Sequence, residues 1–105
     1  MYELYQAEWC PYSSRVRQEL TERGVDFIAR QVAAEKDERH EMRQRTGTDE
    51  IPVLVADGQV IAEFEDILSF LERQHPKRPD AAQHRRKGAD PLEQQERLEL
   101  LHKHP

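Results

Sequence analysis

Met1-Tyr2-Glu3-Leu4-Tyr5-Gln6 alternates in polarity and is rich in aromatic residues; the chain then breaks at Cys10-Pro11 and resumes as Ser13-Ser14-Arg15-Val16-Arg17-Gln18-Glu19-Leu20, with Val16 and Leu20 one helical turn apart. A strand period followed by a helical one reads as strand, loop and helix. Gly24 stands where a C-cap glycine ends a helix, and Val25-Asp26-Phe27-Ile28-Ala29-Arg30-Gln31-Val32 has the β-branched and aromatic content of a second strand. Two strands joined through a helix of this length are expected to pair in parallel by a right-handed crossover.

Working outward, Ala33 to Arg45 permits a helix but is very polar, with Met42 as its large apolar residue, so a short helix barely tied to the core is expected. Pro52-Val53-Leu54-Val55-Ala56 and Val60-Ile61-Ala62 flank Asp57-Gly58, a strong signal for an antiparallel hairpin. Phe64, Ile67, Leu68 and Leu71 then share one helical stripe, which His75-Pro76 ends. The order is β-α-β-α-β-β-α, an α/β architecture filling residues 1–76. From Lys77 to Gly88 there is too little apolar surface to fold alone, so a polar linker is expected. Asp90-Pro91-Leu92-Glu93 reads as an N-cap, a proline at the first helical position and a reciprocal glutamate. A short helix over 91–102 is therefore expected within the 77–105 tail, with Leu92, Leu98 and Leu101 able to dock on the domain or on a second copy.

The chain has 105 residues, 36% of them hydrophobic, enough for one small core. Charged residues make up 35% and the formal net charge is -5, which leaves no basic field to hold phosphate backbones and argues against nucleic acid as a main partner. No long apolar run occurs, and Glu3 and Glu8 arrive almost at once, so neither a leader nor a membrane span is expected and the cytoplasm is the expected compartment. The single cysteine cannot form an internal disulfide. Any disulfide chemistry must take its second sulfur from another molecule.

Cys10 falls between the first strand and the first helix, where unpaired N–H groups and the positive end of the helix dipole favour the thiolate. Pro11 starts the helix without wasting a donor. Arg15 and Arg17 add positive charge and Glu8 opposes them, so a lowered thiol pKa is expected. Trp9 is expected to pack around the loop and Tyr12 to face a ligand. Four residues separate Cys10 from Arg15, one fewer than a phosphatase loop uses, and the cradling glycines are missing. His75, His84, His102 and His104 are scattered and read as solvated rather than as metal ligands.

Trp9-Cys10-Pro11-Tyr12-Ser13 resembles the C-P-Y-C/S active site of glutaredoxins, and Ile51-Pro52-Val53 is similar to the family's proline-before-strand motif. The likeness runs from Tyr2 to about His75, and Asp57-Gly58 through Leu71 reads equally like the amino-terminal domain of glutathione S-transferases. The resemblance implies a thioredoxin-like fold, a cis Pro52, and Ile51 pairing main chain to main chain with glutathione. It implies Cys10 as the catalytic thiol and Pro11, Tyr12, Ser13, Ile51, Pro52, Glu63 and Phe64 as the residues around its thiol ligand. With Ser13 at the second family position, the chain is similar to the monothiol branch, in which an external thiol resolves the mixed disulfide. Small thiols and mixed-disulfide proteins are the implied partners, with a monomer or weak homodimer as the expected state. In this fold the last helix normally receives the γ-glutamyl carboxylate at its start. Here that start is Glu63-Phe64-Glu65-Asp66, with Phe64 where a transferase-like domain places serine, and Ala7 and Glu8 lie where many glutaredoxins carry a lysine. The expected co-substrate is therefore glutathione or another small thiol. Two other readings share the thiol or the fold: an iron-sulfur cluster carrier using Cys10 from two subunits, and a non-catalytic thioredoxin-fold binding module.

Overall fold

The structure, a computed structural model, describes residues 1–89 and Glu99. Its elements are β1 (Tyr2–Gln6), α1 (Pro11–Glu22), β2 (Phe27–Gln31), a 3-10 turn (Lys36–Glu38), α2 (His40–Thr46), β3 (Val53–Ala56), β4 (Gln59–Ile61), α3 (Phe64–Gln74) and α4 (Ala81–Ala89). The sheet order is β2-β1-β3-β4, with β1 and β2 parallel and the other two pairs antiparallel. This is the expected thioredoxin-like α/β fold. The expected helix over 91–102 lies, apart from Glu99, outside the described residues.

Alternation decides which helix meets which face of the sheet. Leu4 pairs with Leu54, and Leu54 with Ile61, so these three point to one side, where Val16 and Leu20 of α1 and Ile67 and Leu71 of α3 close the main core. The next residues, Tyr5 and Val53, point to the other side and meet Met42 of α2. The polar second helix is thus held by one buried methionine, as its composition suggests, and by a residue that composition hides. Arg39, 5% exposed, donates to the carbonyls of Ala33 at 2.7 Å, Asp49 at 2.9 Å and Ala34 at 3.1 Å, tying the helix start to the flanking loops.

The chain takes a left-handed backbone at the hairpin turn and just after α1 and α2. Asp57 and Gly58, at φ 50 and 91, form the hairpin turn whose twist matches the flanking strands. Gly24, at φ +68, follows α1; its N–H bonds the Thr21 carbonyl at 3.0 Å and the Val25 N–H bonds that of Leu20 at 2.9 Å, which is the Schellman pattern. A Cβ on Gly24 would stand 2.6 Å from Cδ of Arg78, so this turn is also a seat for the chain after α3.

That chain corrects the expected polar linker. Residues 77–89 run onto the C-terminal half of α1 and carry α4, held by charge rather than by apolar burial. The Arg78 N–H donates to the Glu22 carbonyl at 2.8 Å, and Lys77 pairs with Glu19 at 2.9 Å and with Glu22 at 2.6 Å. Only Ala81 of α4 is buried. Composition identified the lack of apolar surface; it could not show that α1 offers two buried carboxylates that need cations. No helix among the described residues is long and apolar enough to cross a membrane.

Candidate functional site

Cys10 is the N-cap of α1, with extended backbone at φ -81 and ψ 119, and Pro11 opens the helix. The residue is 7% exposed, and its sulfur accepts the Ser13 N–H at 3.4 Å, so the thiol takes one of the orphan donors of the helix start. Ser13 is fully buried, and its Oγ accepts the Ala7 N–H at 3.4 Å. The loop between β1 and α1 is closed again by the Cys10 N–H on the Ala7 carbonyl at 3.2 Å. Burial pushes the Cys10 thiol up, but hydrogen bonds from the Ser13 hydroxyl and from the Ser13 and Tyr12 N–H groups, with the Arg17 charge, outweigh it and leave the pKa below its ordinary value.

The two arginines of α1 part company. Arg17 turns back to the loop, bonding Gln6 and the Ala7 carbonyl and pairing with Glu8 at 3.5 Å. Arg15 pairs with Glu19 at 3.2 Å along α1, whereas both arginines were expected to act on the thiol; of the two, Arg17 is the one whose charge lowers the Cys10 pKa. Trp9 is 66% exposed rather than packed around the loop.

A cleft of about 290 Å³ is lined by Tyr12, Ile51, Pro52, Glu63 and Phe64; Tyr12 lies two residues beyond Cys10, which is not itself part of the lining. The Ile51–Pro52 peptide is cis. Tyr12 is 57% exposed and meets the Phe64 ring edge-on, 5.0 Å between centroids. Glu63 precedes α3 with no side-chain cap of its own. Pro11 and Ser13 lie outside the lining: Pro11 begins the helix, and Ser13 is buried against the thiol. Thr48 and Glu50 line the cleft without having been singled out from sequence; their nearness to Ile51-Pro52 was the available signal. Glu50 is tied to Lys36.

Among the described residues no group of three or more His, Cys, Asp or Glu could hold a metal ion. His75 and His84 are not simply solvated: His75 Nε2 shares a 2.8 Å hydrogen bond with the Tyr2 hydroxyl, and His84 lies 3.2 Å from Asp80.

The thiol loop, the proline and the hairpin lie within residues 2–61, which match the glutaredoxin family model. Glutaredoxin 3 of Escherichia coli K12 is 32% identical over 71 residues, covering 68% of this chain and 86% of the relative. An uncharacterized glutaredoxin-like 8.6 kDa protein from the rubredoxin operon of Clostridium pasteurianum is 31% identical over 64 residues, covering 61% of this chain and 85% of the relative. Among solved structures, a diazinon-metabolizing glutathione S-transferase of the silkworm Bombyx mori superposes with a TM-score of 0.64 at 27% identity, over 72% of this chain but 38% of the transferase. Against that transferase the chain spans less than half the length. With more than half of the chain matched and the reactive loop inside the match, the chain belongs to the glutaredoxin family.

Proposed function

We propose that this protein is a monothiol thiol-disulfide oxidoreductase that reduces mixed disulfides through Cys10 with an external low-molecular-weight thiol. The observation that carries the reading is the lowered pKa of Cys10 at the α1 N-cap, in a chain with no second cysteine. The Cys10 thiolate attacks the small-thiol sulfur of a mixed disulfide; that S–S bond breaks, and the polypeptide leaves as a thiolate and takes up a proton. A second small thiol, as its thiolate, attacks the Cys10 adduct, forms a free disulfide and restores the Cys10 thiolate. The incoming sulfur is oxidised to the disulfide level as the polypeptide sulfur returns to thiol, so no other reductant is needed. Tyr12, Ile51, Pro52, Glu63 and Phe64 form the cleft for the small thiol. Membership in the family supports glutathione or a related small thiol in that role and mixed-disulfide proteins as substrates. A lone thiol with no structural disulfide suits a reducing compartment such as the cytoplasm. Residues 1–76 are the catalytic unit in this reading, and 77–105 an extension whose beginning is clamped on α1.

The test is turnover of a mixed-disulfide peptide by a small thiol, with intact-mass detection of the enzyme. Turnover that is lost in Cys10→Ala, with one small-thiol adduct per chain in the wild type, is expected. Absence of both adduct and turnover would reject the reading. A brown protein after anaerobic purification would assign Cys10 instead to a cluster shared between two copies.

A further inference from the structure

We infer that Gln6 and Gln31, paired side by side at the ends of β1 and β2, are positioning residues for the thiol, because their amides hold Arg17 on the loop that seats Cys10. The inference rests on the monothiol reading and deepens it, since that reaction needs Cys10 seated as a thiolate. Gln6 is 2% exposed and alternates with Tyr5, so it lies on the same side of the sheet as Leu4, the side that α1 covers. A buried amide has to satisfy both of its ends. Gln6 Nε2 donates to Gln31 Oε1 at 3.0 Å, and Gln6 Oε1 accepts from Arg17 Nη1. The strand register places Gln31 directly opposite Gln6. With its nitrogen committed to Gln31, the Gln6 amide presents its oxygen to α1; turned over, it would set an NH2 group against a guanidinium, which has no acceptor. The same Arg17 Nη1 donates to the Ala7 carbonyl at 3.4 Å. Ala7 is the hub of the thiol loop: its carbonyl also takes the Cys10 N–H at 3.2 Å, and its N–H goes to Ser13 Oγ at 3.4 Å. Arg17 thus meets the loop at the residue that Cys10 and Ser13 both hold, and its charge there favours the thiolate. A long flexible side chain keeps one place only if it is anchored. Glu8, the ion-pair partner of Arg17, is 89% exposed, which leaves the buried Gln6 as the firm anchor.

Gln31 is exposed and uncharged. Replacing it neither empties the core nor alters the charges near the thiol, which are Arg17 and Glu8, with Glu50 and Glu63 along the cleft. The test follows iodoacetamide alkylation of Cys10 against pH in the full chain, for the wild type, Gln31→Leu, Arg17→Gln and the double variant. Leucine keeps Gln6 Nε2 covered while removing its acceptor, so the Gln6 amide turns and releases Arg17. Gln31→Leu is expected to move the half-maximal alkylation pH upward, and the double variant to match Arg17→Gln alone, because both changes break one chain of contacts. A profile that Gln31→Leu leaves in place or lowers overturns the inference, including the case in which a purely structural part for Gln31 lowers only the urea midpoint. A double variant whose shift is the sum of the two single shifts overturns it as well, since Gln31 would then act without Arg17. Alkylation needs no mixed disulfide, so these outcomes are read separately from the turnover that tests the monothiol reading.

Discussion

Arg85 of α4 reaches back across 63 residues to donate to Oε1 of Glu22 at 2.6 Å, and Lys77 donates to the same oxygen at the same distance. The Glu22 side chain is 2% exposed, so it depends on these cations where water cannot replace them. Both cations keep part of their side chains in solvent, which limits what either contributes alone. Arg85→Ala is therefore expected to lower stability measurably, and Lys77→Met/Arg85→Ala by about 3 kcal/mol, because the second change leaves a buried carboxylate without a cation. Urea unfolding reads this as a lower midpoint at an unchanged slope. A double variant that unfolds at the wild-type midpoint would mean that α4 rests on α1 without stabilising it.

The same carboxylates set an acid limit. Arg85 beside Glu22, helped by Lys77 and Gln18 against the opposing effect of burial, brings its pKa down to about 2. Glu19 is also lowered, since Lys77, Arg15 and Arg23 outweigh the burial that pushes it up. An unfolded chain then binds more protons than the folded one at intermediate acidity, so stability rises with pH there. The contribution is complete above the ordinary glutamate pKa of about 4.3 and is lost as pH falls from there toward 2. Urea midpoints measured at pH 7, 4 and 3 are expected to fall in that order, with a shallower fall in Arg85→Ala. A flat profile in the wild type would contradict the buried pairing.

How far this could be read from sequence depended on whether a signal was local. Asp57-Gly58 set the hairpin because both residues must adopt positive φ, and the stripe of Ile67 and Leu71 set α3 because a helix repeats its buried face. Cys10-Pro11 marked the helix start because a proline at the first helical position lacks only a donor that would go unpaired there. Three features were not local. The linker reading failed at Lys77 and Arg85, since a cation-rich segment looks solvated until its buried acids on α1 are known. Arg39 carries three carbonyl contacts from loops on both sides, which no pattern of apolar residues reports. Trp9 looked like a packing residue by its size, yet it projects from a loop whose closure uses backbone and Ser13 instead.

Ser13 shows how the second position of the motif acts once its sulfur is gone. Its Oγ is buried and already accepts the Ala7 N–H, so the hydroxyl proton is free to serve Cys10, and the Ser13 N–H points to the same sulfur. Ser13→Ala keeps the N–H and removes the hydroxyl. The pH at which iodoacetamide alkylates Cys10 at half its maximal rate is expected to rise. Stability should fall by about 1 kcal/mol, because the Ala7 N–H loses its acceptor. An unchanged alkylation profile would show that the backbone donors alone hold the thiolate.

Arg17 and Arg15 provide the sharpest separation of field from mere proximity. Two residues on a helix are about 200° apart around the axis, so neighbours of this kind face opposite ways. Arg17 faces the β1–α1 loop, where Gln6, Ala7 and Glu8 hold it and where its charge favours the Cys10 thiolate. Arg15 faces down α1 to Glu19. Arg17→Gln is expected to move the half-maximal alkylation pH of Cys10 upward at low salt and less at high salt, because the effect is Coulombic and partly screened. Arg15→Gln should leave it in place. Glu8→Gln removes the acid that opposes Arg17 and should move it the other way, downward. Equal shifts for the two arginine variants would mean that the thiol responds to the net charge of the helix start, and that the orientation of Arg17 has no special part in activating Cys10.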